Sequence, residues 1–561
     1  MNRLERATMC SWMSLVVCWL IAAPVFASPS GTGFLVVAPD RGALGNEEIR
    51  RLFEEFNQSY RPASLVFVGR DYRGPGTEYS PYLSGALSDL TQAGVTNLIA
   101  IPLFLSSADP ILANVMASLP SYDYSGSIGW AQPMADSYLI GQIILDRAAA
   151  LSRQPSDEGV LIVGFGATDQ NNERAMQGDL KKLADYLGRY HHFRETQQVV
   201  YYDRAAPEAE ERNRVADSLI THMAAKKGRA LAVMASLGPK FDHGMSLMSR
   251  MKTQFREIDV VLSDEELLPH PNVLRWLKKT ANGYQPAAAS EVGVVIMPHG
   301  ANQVWNDAVE QVVAPLRATY AIEMAFGMGD ARILQEAVSN LEARHMRKIV
   351  FVRLYALTRH LKERTDYILG LTDSPTAMGH GGHDTTGTYP PQVRTAAQFE
   401  TVGGYEETSD VARILHERIV EISTAPADET VFLVAHGEKL DEDDAKWRAL
   451  INAHIETLKQ DPHCAQLKAI RAATVREDWP DKRDKAVKDI RDMIETASQT
   501  GRALLIADRL YGSGPYPKLF QGLDYTLNDK GLAHPVLTGW LRTAIDRAAA
   551  TLTAPRATPS R

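Results

Sequence analysis

Short runs of β-branched and other apolar residues, each closed by a small turn, recur along the chain at intervals of roughly 130 residues. They read FLVVAPDRG from Phe34, VLIVGFGAT from Val160, VVIMPHGAN from Val294 and VFLVAHGEK from Val431. Behind each comes a stretch with apolar residues at helical spacing, such as NEEIRRLFEEF from Asn46 or DDAKWRALINAHIETL from Asp443. That spacing predicts an amphipathic helix with one face on a sheet.

A second apolar run follows in every copy: SLVFVG from Ser64, QVVYYDR from Gln198, AIEMAFG from Ala321 and LKAIRAATV from Leu467. After another helical stretch comes a third: NLIAIPLFL from Asn97, RALAVMASLG from Arg229, KIVFVRLYAL from Lys348 and ALLIADRLY from Ala503. Continuous apolar strands alternating with helices of this length predict βαβ crossovers and a parallel sheet covered on both faces. The fold class expected is α/β, with tandem small doubly wound parallel-sheet units. Their predicted spans are 33–151, 159–283, 291–424 and 429–553, joined near 152–159, 283–290 (GYQPAAAS) and 424–429, with a flexible tail at 554–561. One insertion within 372–400, TDSPTAMGHGGHDTTGTYPP, is Gly-rich and without period. A loop of that length inside a compact unit is expected to be functional or disordered.

Composition adds less. The 561 residues suggest three or four domains, and a net charge of −8 with interspersed signs offers no basic stripe for nucleic acid. At the N-terminus, Arg3 and Arg6 precede an apolar run from Trp12 to Ala23 that exits through Val25-Phe26-Ala27. Residues 1–27 read as a secretory signal peptide, implying an exported, probable-periplasm destination with no stable membrane span after cleavage; a retained anchor is the alternative, disfavoured by the short run. Cys10 and Cys18 fall inside this leader, so Cys464 is the only thiol of the mature chain and no internal disulfide is possible.

In open parallel sheets, ligands bind beyond the carboxyl ends of the strands, where strand order reverses. His299 follows the first strand of unit three and His360 its third, so two imidazoles are expected at one crevice, able to coordinate a transition metal or accept protons. Gly300 would let a flat ligand approach the backbone, and the helix behind it offers N–H groups to anions. Arg353, Arg359, Lys362 and Arg364 would supply a cationic rim.

PHG followed by a Trp-Asn helix, AFG after Glu323, and RLYALTRH after the third strand resemble class II tetrapyrrole chelatases, the sirohydrochlorin cobaltochelatase and ferrochelatase family. As fold the resemblance covers all four units; as a site it is specific in the third. It implies insertion of Co²⁺ or Fe²⁺, a substrate metal, into a sirohydrochlorin-type tetrapyrrole on the way to sirohaem or cobalamin, without a nucleotide. It places the two family histidines at His299 and His360 and an acidic metal neighbour at Glu323. Unit four keeps His436 but has Tyr516 where the second histidine would stand. Unit one has Pro39 and Asp109 at these places; unit two has Phe165, with His243 a little beyond. The leader conflicts with this reading, because such precursors are made in the cytoplasm.

Two rivals stay open: a periplasmic metal- or tetrapyrrole-binding protein without turnover, and an interaction module with incidental histidines. His380 and His383 in GHGGH could deliver metal or form a lid, or be solvated loop residues. His191, His192 and His463 read as surface residues, and Trp305 and Trp447 as packed core. Oligomeric state and the pairing of the four units are not legible.

Overall fold

A computed structural model describes residues 26–27, 31–226, 228–238, 240, 246–373, 389–406, 408–512 and 514–554. It contains four all-parallel, four-stranded sheets alternating with helices. Unit three shows the pattern: Val292–Pro298 at the centre, flanked by Ala321–Met324 on one side and Lys348–Leu354 on the other, with Gln398–Gly403 at the far edge. Numbered along the chain, the strands of each unit lie in the order 2-1-3-4. The reversal therefore falls between the first and third strands, as the crevice argument requires.

Side chains alternate across the central strand. Val294 and Ile296 enter one core with Trp305 and Val309, while Val295 and Met297 enter another with Ile368 and Leu369. This alternation sends the helices after the first and third strands to opposite faces. The fourth strands are short and part-exposed, for example Val260–Leu262 and Thr526–Asn528, which is why their sequence signal is weak.

The units are not self-sufficient. Helix Leu537–Thr553, at the end of unit four, packs on Lys348–Leu354 and Gln398–Gly403 of unit three; helix Ser409–Val420 of unit three packs on Arg502–Ala507 of unit four. Helices Tyr138–Leu151 and Pro271–Tyr284 are exchanged in the same way between units one and two. One apolar core runs through units one and two, and another through three and four. A sheet this small leaves a face uncovered by its own helices, and the neighbour's terminal helix buries it.

The two halves meet along the C-terminal part of the insertion. Tyr138 Oη donates to the Val393 carbonyl at 3.0 Å, Gln142 Nε2 to Gln392 O at 2.8 Å, and Arg394 grips Asp146 with two bonds of 2.6 and 2.7 Å. Residues 389–397 thus act as a joint between halves rather than as a lid. His380, His383 and His243 lie outside the described residues. Replacing Arg394 with alanine removes a forked, charge-assisted contact; calorimetry should show the less stable half melting about 2–4 °C earlier, per kcal/mol lost, and the single transition broadening. Among the described residues, no helix is long and apolar enough to cross a membrane.

Candidate functional site

The first strands of units three and four both end in a His-Gly turn. Gly300 and Gly437 have φ of +78° and +85°, a conformation that disfavours any side chain. In both turns the imidazole Nδ1 donates to the carbonyl of the following glycine, at 2.7 Å for His299 and 2.9 Å for His436. A carbonyl can only accept, so Nδ1 carries the proton and Nε2 points away from the turn. A Cβ on Gly300 would lie 3.3 Å from the Cβ of Phe326 and 3.4 Å from the Gly327 nitrogen. The close approach at Gly300 is therefore to the chain's own second strand end, not to a ligand surface.

His360 stands in the turn after Lys348–Leu354, with its backbone N–H bonded to Leu357 O. Its Nε2 reaches across to unit four and meets Glu438 Oε1 at 2.8 Å. The same oxygen takes Arg359 at 3.0 Å, and Arg359 also holds Asp443 at 2.8 Å. Burial opposes the charge on Glu438, yet His360 and Arg359 together hold its carboxyl below the usual range. An ionised Glu438 accepts from Nε2–H, which leaves Nδ1 of His360 as the lone-pair nitrogen.

Trp447, buried on helix Asp441–Leu458, connects the histidines. Its ring meets His360 edge-on at 5.5 Å and lies nearly parallel to His436 at 6.3 Å. His436 Nε2 is 3.2 Å from Asp478, and the field of His299 also acts on Asp478. His360, Trp447, His436 and Asp478 therefore form an arc at the carboxyl ends of the two sheets, and His299 stands at the end of the neighbouring strand of unit three, where Pro298 pairs with Leu354. Trp305 mirrors Trp447: its indole N–H donates to Leu510 O at 3.1 Å, and its ring meets Tyr511 edge-on.

His436 has an acceptor at each nitrogen. Desolvation pulls its pKa down, but Asp478, Glu477 and the Gly437 carbonyl outweigh it, and the net shift is upward from 6.5. A raised folded value means the contact stabilises the fold fully below the unfolded pKa and loses that contribution as pH rises through the folded one. The advantage of wild type over Asp478→Asn in urea melts should be largest below about pH 6 and vanish in alkali. An NMR titration of the His436 ring should show its midpoint fall in that variant.

Backbone strain collects here. Of three non-glycine residues with left-handed φ among those described, Leu361 (+55°) follows His360 and Arg476 (+59°) packs against Gly437. Each costs on the order of 1 kcal/mol and is held by its surroundings: Arg476 N donates to His436 O at 2.6 Å and its guanidinium binds Glu438 O at 2.7 Å.

Other expected site residues lie elsewhere. Glu323 is engaged by Asn340 and Arg344, both at 3.3 Å, against helix Ala331–Ala343 and away from the arc. Arg353 is 1% exposed, bonded to Thr358 O, and cannot serve as a rim cation. Lys362 is paired with Asp366, and Arg364 with Gly329 O. Of the cationic rim expected of unit three, Lys362 is paired within its own unit and Arg359 with the acids of unit four. Tyr516 is wholly buried, its hydroxyl on Val434 O. Asp109 caps helix Pro110–Ser118, its carboxyl pushed up to about 6 by burial with help from Asp203. Phe165 packs over Gly238. Between units one and two the matching space is crossed by Arg41, 0% exposed, which binds Glu266 of unit two at 2.8 Å and the Gly238 carbonyl at 3.1 Å.

Glu438 and Asp478 were not among the residues expected from sequence. Glu438 had a signal, two positions after His436; Asp478 had none, because it follows the second strand of unit four and meets His436 only once that strand pairs beside the first. The histidines are spaced apart rather than preassembled. Among the described residues, the group of three or more potential ligands with donor atoms all within 4.8 Å is His416, Asp461 and Cys464, not the arc. No protein-family model and no curated protein sequence matches this chain.

Proposed function

We propose that the cleft between units three and four binds a polycarboxylate tetrapyrrole of the sirohydrochlorin type and inserts a divalent metal, Co²⁺ or Fe²⁺, as the second substrate. The leader, with Arg3, Arg6 and the Val25-Phe26-Ala27 exit, supports export of the mature chain. The observation that supports the reading is the bond from His360 to Glu438 across the two units, which brings the imidazole after the third strand of unit three beside the His-Gly turn of unit four.

Insertion exchanges two pyrrole N–H protons for one dication. The chain supplies two imidazole lone pairs presented in different ways: Nε2 of His299, freed by the Gly300 bond, and Nδ1 of His360, freed by Glu438. One can hold the incoming ion while the other takes the first pyrrole proton, passes it to solvent and then takes the second. His436, with both nitrogens engaged by Asp478 and the Gly437 carbonyl, favours its protonated form and offers no lone pair to a cation. Trp447 and Trp305 are buried in the shared core behind the histidines, and the part-buried Tyr511 lies at its edge.

Binding without turnover is favoured by a different observation: Arg359 is already committed to Glu438 and Asp443, leaving less cationic reach for many carboxylates. Mixing purified protein with sirohydrochlorin and Co²⁺ and following the absorption spectrum separates the two. Multiple-turnover acceleration supports the enzyme. A stoichiometric spectral shift without acceleration supports the carrier, and the absence of both rejects the cleft as a tetrapyrrole site.

A further inference from the structure

A second group of metal-binding side chains lies at the other end of unit four. His416 is on helix Ser409–Val420, Asp461 follows helix Asp441–Leu458, and Cys464 opens the short helix Cys464–Gln466 that leads into strand Ala469–Thr474. These residues stand at the amino ends of the strands, whereas the histidine arc stands at the carboxyl ends, about 20 Å away for a six-residue strand. One ring nitrogen, one carboxylate oxygen and the thiol sulfur lie within 4.8 Å of one another.

The group is built rather than scattered. His416 Nε2 is 3.1 Å from Asp461 Oδ1. That oxygen also accepts the backbone N–H of His463 at 2.8 Å and of Cys464 at 3.2 Å, which fixes the carboxylate and leaves Oδ2 without a hydrogen-bond partner among the described residues. Cys464 is 2% exposed and forms the floor, while His416 and Asp461, about one-third exposed, form an open lip. No Lys or Arg pairs with Asp461 among the described residues, so no fixed cation competes. His463 is turned away, its Nε2 2.9 Å from Ser423 Oγ.

We propose that His416, Asp461 and Cys464 form a metal site for a borderline divalent cation such as Zn²⁺, bound through one nitrogen, one oxygen and one sulfur, with a fourth position open to water. A thiolate and a carboxylate together balance the charge of such an ion, and a neutral imidazole completes the set. Binding releases the thiol proton, and the imidazolium proton where present. The site is independent of the cleft reading, since it shares no residue with the arc.

The test uses full-length protein carrying Cys10→Ser and Cys18→Ser, so that Cys464 is the sole thiol, stripped with a chelator and titrated with Co²⁺ under reducing conditions. A near-ultraviolet thiolate-to-cobalt band that saturates at one equivalent and is displaced by Zn²⁺ is expected. His416→Gln should weaken Co²⁺ binding by about tenfold or more. A His299→Ala, His360→Ala variant should keep the band unchanged, which separates this site from the cleft. The wild-type spectrum needs no substitution at the site: no band at one equivalent overturns the proposal, as does a band indifferent to His416→Gln.

Discussion

Replacing His360 with alanine should slow cobalt insertion into sirohydrochlorin by about 10²–10⁴-fold, the range for losing a positioned proton acceptor or ligand. His299→Ala should fall in the same range, because each residue presents a lone pair that the other cannot supply from its own side of the arc. Glu438→Gln is the informative companion. An amide can still approach His360 Nε2 but carries no charge, so it no longer enforces the tautomer that frees Nδ1. Its effect should be smaller than that of His360→Ala and concentrated in kcat, whereas His436→Ala, whose ring has both nitrogens engaged, should cost less than either histidine that presents a lone pair. Stopped-flow absorbance with each variant measures all four. Equal rates for wild type and the His299→Ala, His360→Ala double variant would remove the proposed chemistry and leave the fold standing.

Arg41→Ala should destabilise the first half by about 3–5 kcal/mol, as expected when one partner of a buried ion pair is deleted. Arg41 is 0% exposed and binds Glu48 and Glu266, both at 2.8 Å. Glu48 has Lys240 as a second partner, whereas among the described residues the Glu266 carboxylate is bonded by Arg41 alone. Burial already pushes the Glu266 carboxyl up to about 7 despite Arg41. A carboxyl raised in the folded state makes stability fall as pH rises from its unfolded value, near 4.5, to its folded one. Removing Arg41 takes that value higher still, so the loss in urea melts should be greater at pH 8 than at pH 5. Adding Glu266→Gln should recover much of it. A loss independent of pH would place the cost in packing around Gly45 and Gly238 instead.

The contrast between the two clefts explains why the repeats differ. Where units three and four have small His-Gly turns and strained neighbours, units one and two have Arg41 reaching into its partner and Phe165 lying over Gly238. The same fold thus carries histidine turns between one pair of units and a buried ion pair between the other.

Much of this was readable along the chain. The apolar runs from Phe34, Val160, Val294 and Val431 specify central strands because only residues buried on both faces are so continuously apolar, and helical spacing between them leaves parallel crossovers as the connection. His299, His360 and His436 were visible because strand ends have a fixed place in such sheets. The misplacements have one cause. Glu323 and Arg353 sit within strands, where a shift of one residue reverses the face, and their neighbours on helices and turns came to own their charges.

What the sequence by itself determined is therefore local: strand and helix period, the positive-φ glycines of the His-Gly turns, and the order of elements that puts the crevice between first and third strands. Tertiary structure alone decided that terminal helices cross between neighbours, that units pair one with two and three with four, and that His360 answers to Glu438 rather than to His299. Those outcomes depend on burying a sheet face and satisfying charges against groups dozens of residues or more away. No run of adjacent residues encodes such a distance.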